Sequence, residues 1–188
     1  MYYVETSVLA SYILASDFGH EASRRALEEA CKYKLYVSSY TLIELHNTIC
    51  RRIIKGDKWK LIDPLQEYIE VYEEVEEKCK FLLSMIIGFL KERLNVEFLD
   101  ETGIYDLMPM GLADLKIPKI FKKLADLSPR LLTRTKDLLH LTYASIFSNA
   151  YGIRYFLTRD IEDFGRIKDE VKNLLKIEVV LVQDIAIA

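Results

Sequence analysis

The chain has little of what makes linkers: seven glycines and four prolines in 188 residues, with no stretch where they gather. One domain is therefore expected over residues 1–188, large enough to bury a full core. Long hydrophobic runs are also missing. The longest, FLLSMIIGFL from Phe81 to Leu90, is about half of the ~20 residues a membrane-spanning helix needs. The opening residues lack a basic segment, an apolar core and a small-residue cleavage site, because Glu5 interrupts the first apolar run, so a cytoplasmic protein is expected. Three cysteines, Cys31, Cys50 and Cys79, are odd in number and far apart, which argues against a disulfide frame or a zinc site and for buried reduced thiols. Glutamine occurs only at Gln66 and Gln183, against abundant Glu, Lys, Arg, Ile and Tyr, a bias of proteins from hot environments. A Gly-rich phosphate loop, a Ser-His-Asp constellation and a cysteine set for nucleophilic attack are all absent.

Charge of one sign is lacking too. A net charge of −3 and a pI near 5.7 give no global pull toward a polyanion, so a nucleic acid would have to be met by local clusters. Three exist: Arg51, Arg52, Lys55, Lys58 and Lys60; Lys116, Lys119, Lys122 and Lys123; and Arg130, Arg134 and Lys136. Taken singly, each reads equally well as a solvated helix end.

What is present is an alternation of short β-rich runs with helix-period segments, the pattern of an α/β fold with a mostly parallel sheet. The strand runs are YYVE at 2–5, KLYVSS at 34–39, NVEFL at 95–99, IRYFL at 153–157 and, as a fifth, IEVVLV at 177–182. Helices are expected near 6–15, 20–32, 40–55, 118–127, 137–149 and 163–175. Asp63-Pro64 reads as a cap followed by a first-turn proline, opening a helix that runs to about Leu94 and would be roughly 48 Å long if unbroken. Leu65, Tyr68, Tyr72, Val75, Cys79, Leu82, Ile86 and Phe89 form a heptad-type stripe on it, Gly88 offers a break, and six glutamates between Glu67 and Glu77 crowd its first half. Such a stripe needs either a helical hairpin within the chain or a second subunit.

Ligands of open parallel sheets gather beyond the carboxyl ends of the strands, and acids stand at those places. Glu5 ends the first strand ahead of Thr6 and Ser7, which offer helix caps and hydroxyl ligands. Glu44 sits one turn into the helix after the second strand, Asp137 opens the apolar helix TKDLLHLTYA, and Asp160 follows the fourth strand with Asp163 three residues on. Alone, Asp137 or Asp160 is explained as a helix cap worth about 0.3–1 kcal/mol. Glu5 and Glu44 interrupt apolar faces, where an unpartnered carboxylate is costly. Acids converging on one sheet edge repel one another until a cation neutralises them, and oxygen-rich sites suit Mg²⁺ or Mn²⁺.

ETSVL after the first strand, the acid in LIEL, DLLHLTYA, and LTRD followed by DF together resemble the PIN-domain ribonucleases, in particular the VapC-like toxins. The resemblance covers 1–55 and 130–182 and implies a PIN-like three-layer α/β fold with a central parallel sheet of four or five strands, here with a helical insertion at about 62–118. It implies a Mg²⁺- or Mn²⁺-dependent endoribonuclease cleaving single-stranded or structured RNA, in which Glu5, Glu44, Asp137 and Asp160 are catalytic. Glu5, Asp137, Asp160 and Asp163 would hold metal, and Glu44 would ligate or orient through water. Thr6, Ser7 and Thr158 would be supporting hydroxyls, and Arg134, Lys136 and Arg159 would meet RNA. His140, in the same helix as Asp137, is packed in the family without a catalytic use. An antitoxin partner and a homodimer are implied as well. The family's first acid is ordinarily aspartate, and Glu5 adds a methylene; the alternative is a PIN-fold RNA-binding or protein-docking module with weakened chemistry. A phosphatase or receiver-like protein is disfavoured, since no DxD follows the first strand.

Overall fold

The computed structural model describes residues 1–56, 59–110 and 115–186; Lys58 of the first basic cluster lies outside them. Five parallel strands form the central sheet: β1 (Tyr2–Val4), β2 (Leu35–Val37), β3 (Val96–Phe98), β6 (Tyr155–Thr158) and β7 (Glu178–Leu181), in the order β3-β2-β1-β6-β7. The register pairs Tyr2 with both Leu35 and Tyr155, and Val4 with Leu157. These strands carry apolar residues on both faces, as a sheet covered twice requires. Tyr3, Tyr36, Phe156 and Val179 point to one layer, and Val4, Leu35, Val37, Val96 and Leu157 to the other.

The second layer holds α1 (Thr6–Ile13), α2 (His20–Ala30), α3 (Ser39–Ile54), α4 (Asp63–Glu70), α5 (Val75–Leu94) and α9 (Val182–Ala186), while α6 (Lys119–Leu131), α7 (Thr135–Tyr151) and α8 (Ile161–Leu175) cover the opposite face. Right-handed crossovers impose this division. The chain steps one way from β1 through β2 to β3 with helices on one side. It then returns across the sheet to β6 and steps on to β7 with helices on the other. Phe156 and Phe164, both fully buried with ring centroids 4.8 Å apart, fix α8 on β6, each burial contributing about 1.5–3 kcal/mol.

The long helix expected from Asp63 to Leu94 is instead two. It breaks at Val71–Glu74, and α5 folds back on α4 as a hairpin within the chain. A single straight rod would leave its stripe in water. Folded back, Leu65 and Ile69 of α4 and Leu82, Ile86 and Leu90 of α5 enter one core, and the stacked Tyr72 and Phe81 rings, 4.9 Å apart, close the corner. The crowded glutamates favour opening there, since like charges three and four apart repel. Gly88 does not break α5, Tyr68 and Val75 of the stripe are exposed, and the N-cap of α4 is Ile62, with Asp63 and Pro64 inside its first turn. Nor do Thr6 and Ser7 cap α1, because Glu5 occupies the N-cap position. Among the described residues α9 and an antiparallel hairpin, β4 (Leu107–Pro109) with β5 (Lys116–Pro118), are additions to the expected elements. All three cysteines are free, but only Cys50 is buried.

Gly152 ends α7 with φ +65°, donating its N–H to the Ser148 carbonyl, a left-handed cap that glycine adopts without strain. It turns the chain directly into β6 beside β1.

Candidate metal centre

The sheet order reverses between β1 and β6, and at such a switch point a crevice opens beyond the carboxyl ends of the strands. The Glu5 amide donates to the Leu157 carbonyl at 3.0 Å, so β1 ends in register with β6 and Glu5 falls beside Thr158. Its backbone takes the extended conformation of an N-cap (φ −79°, ψ 154°), but its side chain caps nothing. The carboxylate, 6% exposed, instead accepts from the Ser7 hydroxyl and from Thr158 Oγ1 at 3.2 Å. Neutral hydroxyls do not balance a buried charge. The nearest cationic candidate among the described residues is His140, whose Nε2 lies 3.8 Å from Glu5 Oε1.

Glu44 arrives from α3, whose first turn is fixed twice. Ser38 caps it by accepting from the Thr41 amide, and Glu101, just after β3, accepts from the Ser39 amide and hydroxyl. Glu44 Oε2 then lies 2.9 Å from His140 Nε2. Burial would raise the Glu44 carboxyl, but hydrogen bonds from His140 and Thr6 and the charges of His140 and Lys136 outweigh it and hold the group below the usual range. One donor atom each from Glu5, Glu44 and His140 falls within 4.8 Å of the others.

The remaining acids form a second group around a guanidinium. Arg134 Nε donates to Asp137 Oδ2 at 2.8 Å and Nη2 to Asp160 Oδ2 at 2.7 Å, and the same nitrogen pairs with Asp163. Asp137 is 3% exposed. Asp160 also does the modest work of a cap, its Oδ1 accepting from the Asp163 amide at 2.9 Å. The expected four-acid set of Glu5, Asp137, Asp160 and Asp163 is thus divided in two. The Tyr40 phenol is pushed up to about 12, by burial first and then by the negative charges of Glu44, Asp137 and Glu5.

Thr158 joins the halves, since Oγ1 both donates to Glu5 and accepts from the Asp160 amide at 3.0 Å. Thr6 Oγ1 lies 3.2 Å from His140 Nε2. Of the cations expected to meet RNA, Arg134 is engaged by the aspartates and Arg159 turns away, pairing with Asp17 at 3.0 Å and covering the Phe18 ring; Lys136 is near enough to act on Glu44 by charge. His140, read from the sequence as packing alone, is the centre of the first group. Its only sequence signal was its place one turn after Asp137, on the same helical face.

The donor set fits a divalent cation: carboxylates from separate segments, two of them nearly inaccessible, with one positive side chain already drawn among three of them. Four helices begin at this edge, at Thr6, Ser39, Thr135 and Ile161, and their N-termini favour negative charge by only about 0.3–1 kcal/mol each. Even together, at about 1–4 kcal/mol, they fall short of the several kcal/mol lost for each of the two carboxylates buried here, Glu5 and Asp137, so the site suits a further cation.

None of the curated proteins matches the chain. The PIN domain model matches residues 2–102, more than half of the 188. The chain belongs to the PIN domain family, whose members are in general nucleases.

Proposed function

We propose that this protein is a metal-dependent endoribonuclease. The observation that carries the reading is the approach of buried Glu5 to Glu44 at the β1/β6 switch point, with Thr158 linking Glu5 to the Asp160 amide. Glu5, Glu44, Asp137 and Asp160 would hold Mg²⁺ or Mn²⁺. When bound, such an ion polarises a phosphoryl oxygen and makes water more acidic. The residues do the rest. Ser7 and Thr158 hydroxyls fix the Glu5 carboxylate, the aspartates would help hold the ion beside the phosphodiester, and Lys136, whose charge reaches Glu44, would offer a cation to the substrate phosphate. Arg134, over half exposed, is placed to follow once a metal releases it from the aspartates.

The test is cleavage of a single-stranded RNA with Mn²⁺ against excess EDTA, in wild type and Glu5→Gln. Cleavage that persists equally in EDTA refutes the reading. A second reading, a PIN-fold RNA-binding or docking module with weakened chemistry, is favoured by Arg134, which fills the space among Asp137, Asp160 and Asp163 that a metal would use. Activity absent in wild type and restored by Glu5→Asp would select it. A toxin role, with an antitoxin and a homodimer, rests on the resemblance to VapC-like toxins, and a short reading frame upstream of the gene would support it.

A further inference from the structure

The hydroxyls of Tyr3, Ser38 and Thr41 are wholly buried and lie in mutual contact, 2.8 Å from Tyr3 to Ser38 and 3.0 Å for each of the other two pairs. Three contacts among three hydroxyls need three hydrogens, and each hydroxyl has one. The phenol hydrogen is therefore used inside this ring, whichever way the ring runs. Ser38 Oγ also accepts from the Thr41 amide at 3.1 Å, which fills its remaining capacity. The Tyr3 oxygen keeps one lone pair for His140 Nδ1, 3.1 Å away, and so accepts a hydrogen from it. Were Tyr3 to donate to the imidazole instead, one buried oxygen pair would face lone pair to lone pair, a cost of about 1–3 kcal/mol for an unmade buried hydrogen bond.

Hydrogen counting thus places a hydrogen on Nδ1 and leaves Nε2 to whatever lies before it: Glu44 Oε2 at 2.9 Å, Thr6 Oγ1 at 3.2 Å and Glu5 Oε1 at 3.8 Å. The Thr6 hydroxyl has a single hydrogen to share between Nε2 and Glu44. In the metal-free chain the 2.9 Å contact is the hydrogen bond that Nε2 donates to Glu44; a divalent ion takes the place of that hydrogen, and donors at that separation span one edge of an octahedron with bonds of about 2.1 Å. Metal-bound histidines characteristically donate their other N–H to a fixed acceptor, and the Tyr3 oxygen is that acceptor here.

We infer that His140 Nε2 is itself a metal ligand, completing a centre with Glu5 and Glu44 that takes a first-row transition-metal ion in preference to Mg²⁺. The inference rests on the metal-dependent reading above and adds to it a nitrogen donor and the choice of ion. Mg²⁺ suits carboxylate and water oxygens, as Mn²⁺ does, whereas imidazole favours later first-row ions such as Fe²⁺, Ni²⁺ and Zn²⁺. The bland account, in which His140 is a core residue bonded to Glu44, needs no metal contact to nitrogen.

Pulsed electron paramagnetic resonance of the Mn²⁺-loaded full chain separates the two. The expected spectrum shows ¹⁴N coupling of a directly bound imidazole, changed by ¹⁵N-histidine labelling and lost in His140→Gln. Titration calorimetry is expected to show Zn²⁺ bound at least about tenfold more tightly than Mg²⁺, and this preference to shrink in the variant. Bound Mn²⁺ without ¹⁴N coupling overturns the inference and leaves the metal centre standing. Coupling that survives His140→Gln assigns it to another histidine and also overturns it. Failure of the wild type to bind any of these ions removes the metal centre and the inference together. If His140→Gln does not fold, the wild-type spectrum and affinity ratio decide alone.

Discussion

Removing or supplying a divalent ion is expected to change the thermal stability of this protein in a way the site geometry sets. The carboxylate oxygens that Glu5 and Glu44 bring together lie within 4.8 Å. At an effective dielectric near 20 two unit charges at that distance repel by about 3.5 kcal/mol, a cost that His140 offsets only in part. A divalent ion cancels this term and binds the folded chain alone, because the unfolded chain does not hold segments 39 residues apart in one place. At a free concentration one hundred times Kd, mass action stabilises the fold by about 2.7 kcal/mol, which the relief of repulsion alone can supply. For a chain of this length that is a rise in Tm of about 5–10 °C. Scanning calorimetry in EDTA and in excess Mn²⁺ measures it. No shift in the wild type refutes the reasoning, and an equal shift in Glu5→Gln/Glu44→Gln refutes the location.

Arg134→Ala leaves Asp137 buried without its cation, and is expected to destabilise the metal-free protein by about 1–3 kcal/mol, less than a fully buried pair because the guanidinium is over half exposed. Mn²⁺ should restore most of the loss in urea unfolding, and equal loss with and without the ion would count against a shared cation space. Glu44 has a lowered carboxyl in the fold, so its contribution is full above the ordinary glutamate value and is lost as pH falls through the lowered one. The metal-free wild type should therefore lose stability toward acid more steeply than Glu44→Gln, and parallel curves would contradict the assigned cause. Thr158→Val keeps the shape but removes the hydroxyl that joins Glu5 to the Asp160 amide. A cost of about 1–3 kcal/mol and weaker Mn²⁺ binding are expected, and an unchanged Kd would show that the two acidic groups act separately.

The five strands were legible because a sheet covered on both faces writes itself as short continuous apolar runs, and the helices around it kept their amphipathic period. The break at Val71–Glu74 was not legible: a stripe with three- and four-residue spacing reads the same along one long helix or two short ones, and only burial of Leu65 and Leu82 in one core decides between them. The β4–β5 hairpin escaped notice because its two three-residue strands each carry a proline and show no alternation. At the site, Glu5 and Glu44 stood out as carboxylates set among apolar neighbours. His140 did not, since one histidine in an apolar helix looks identical whether it fills a core or faces a carboxylate, and its partners Tyr3 and Glu44 lie 137 and 96 positions away. Arg134 reads as an RNA contact in the sequence because two of its three aspartate partners, Asp160 and Asp163, become neighbours only when β6 and α8 pack beside α7.

The family match stops at Thr102, yet half of the acidic edge lies beyond it. Glu5 and Glu44 fall inside the match, while Asp137, Asp160 and Asp163 fall outside, after a stretch that holds the β4–β5 hairpin and α6. What ties them to the matched half is the sheet. Three consecutive pairs, Tyr2 with Tyr155, Tyr3 with Phe156 and Val4 with Leu157, leave the next position on each strand no freedom of register, since a slip of one residue would turn Phe156 and Leu157 to the wrong layers. Glu5 must then meet Thr158, and the chain leaving Thr158 must place Asp160 at the start of α8. Asp160 and Asp163 are therefore placed by strand pairing, and Asp137 meets them from α7 through the shared Arg134 guanidinium.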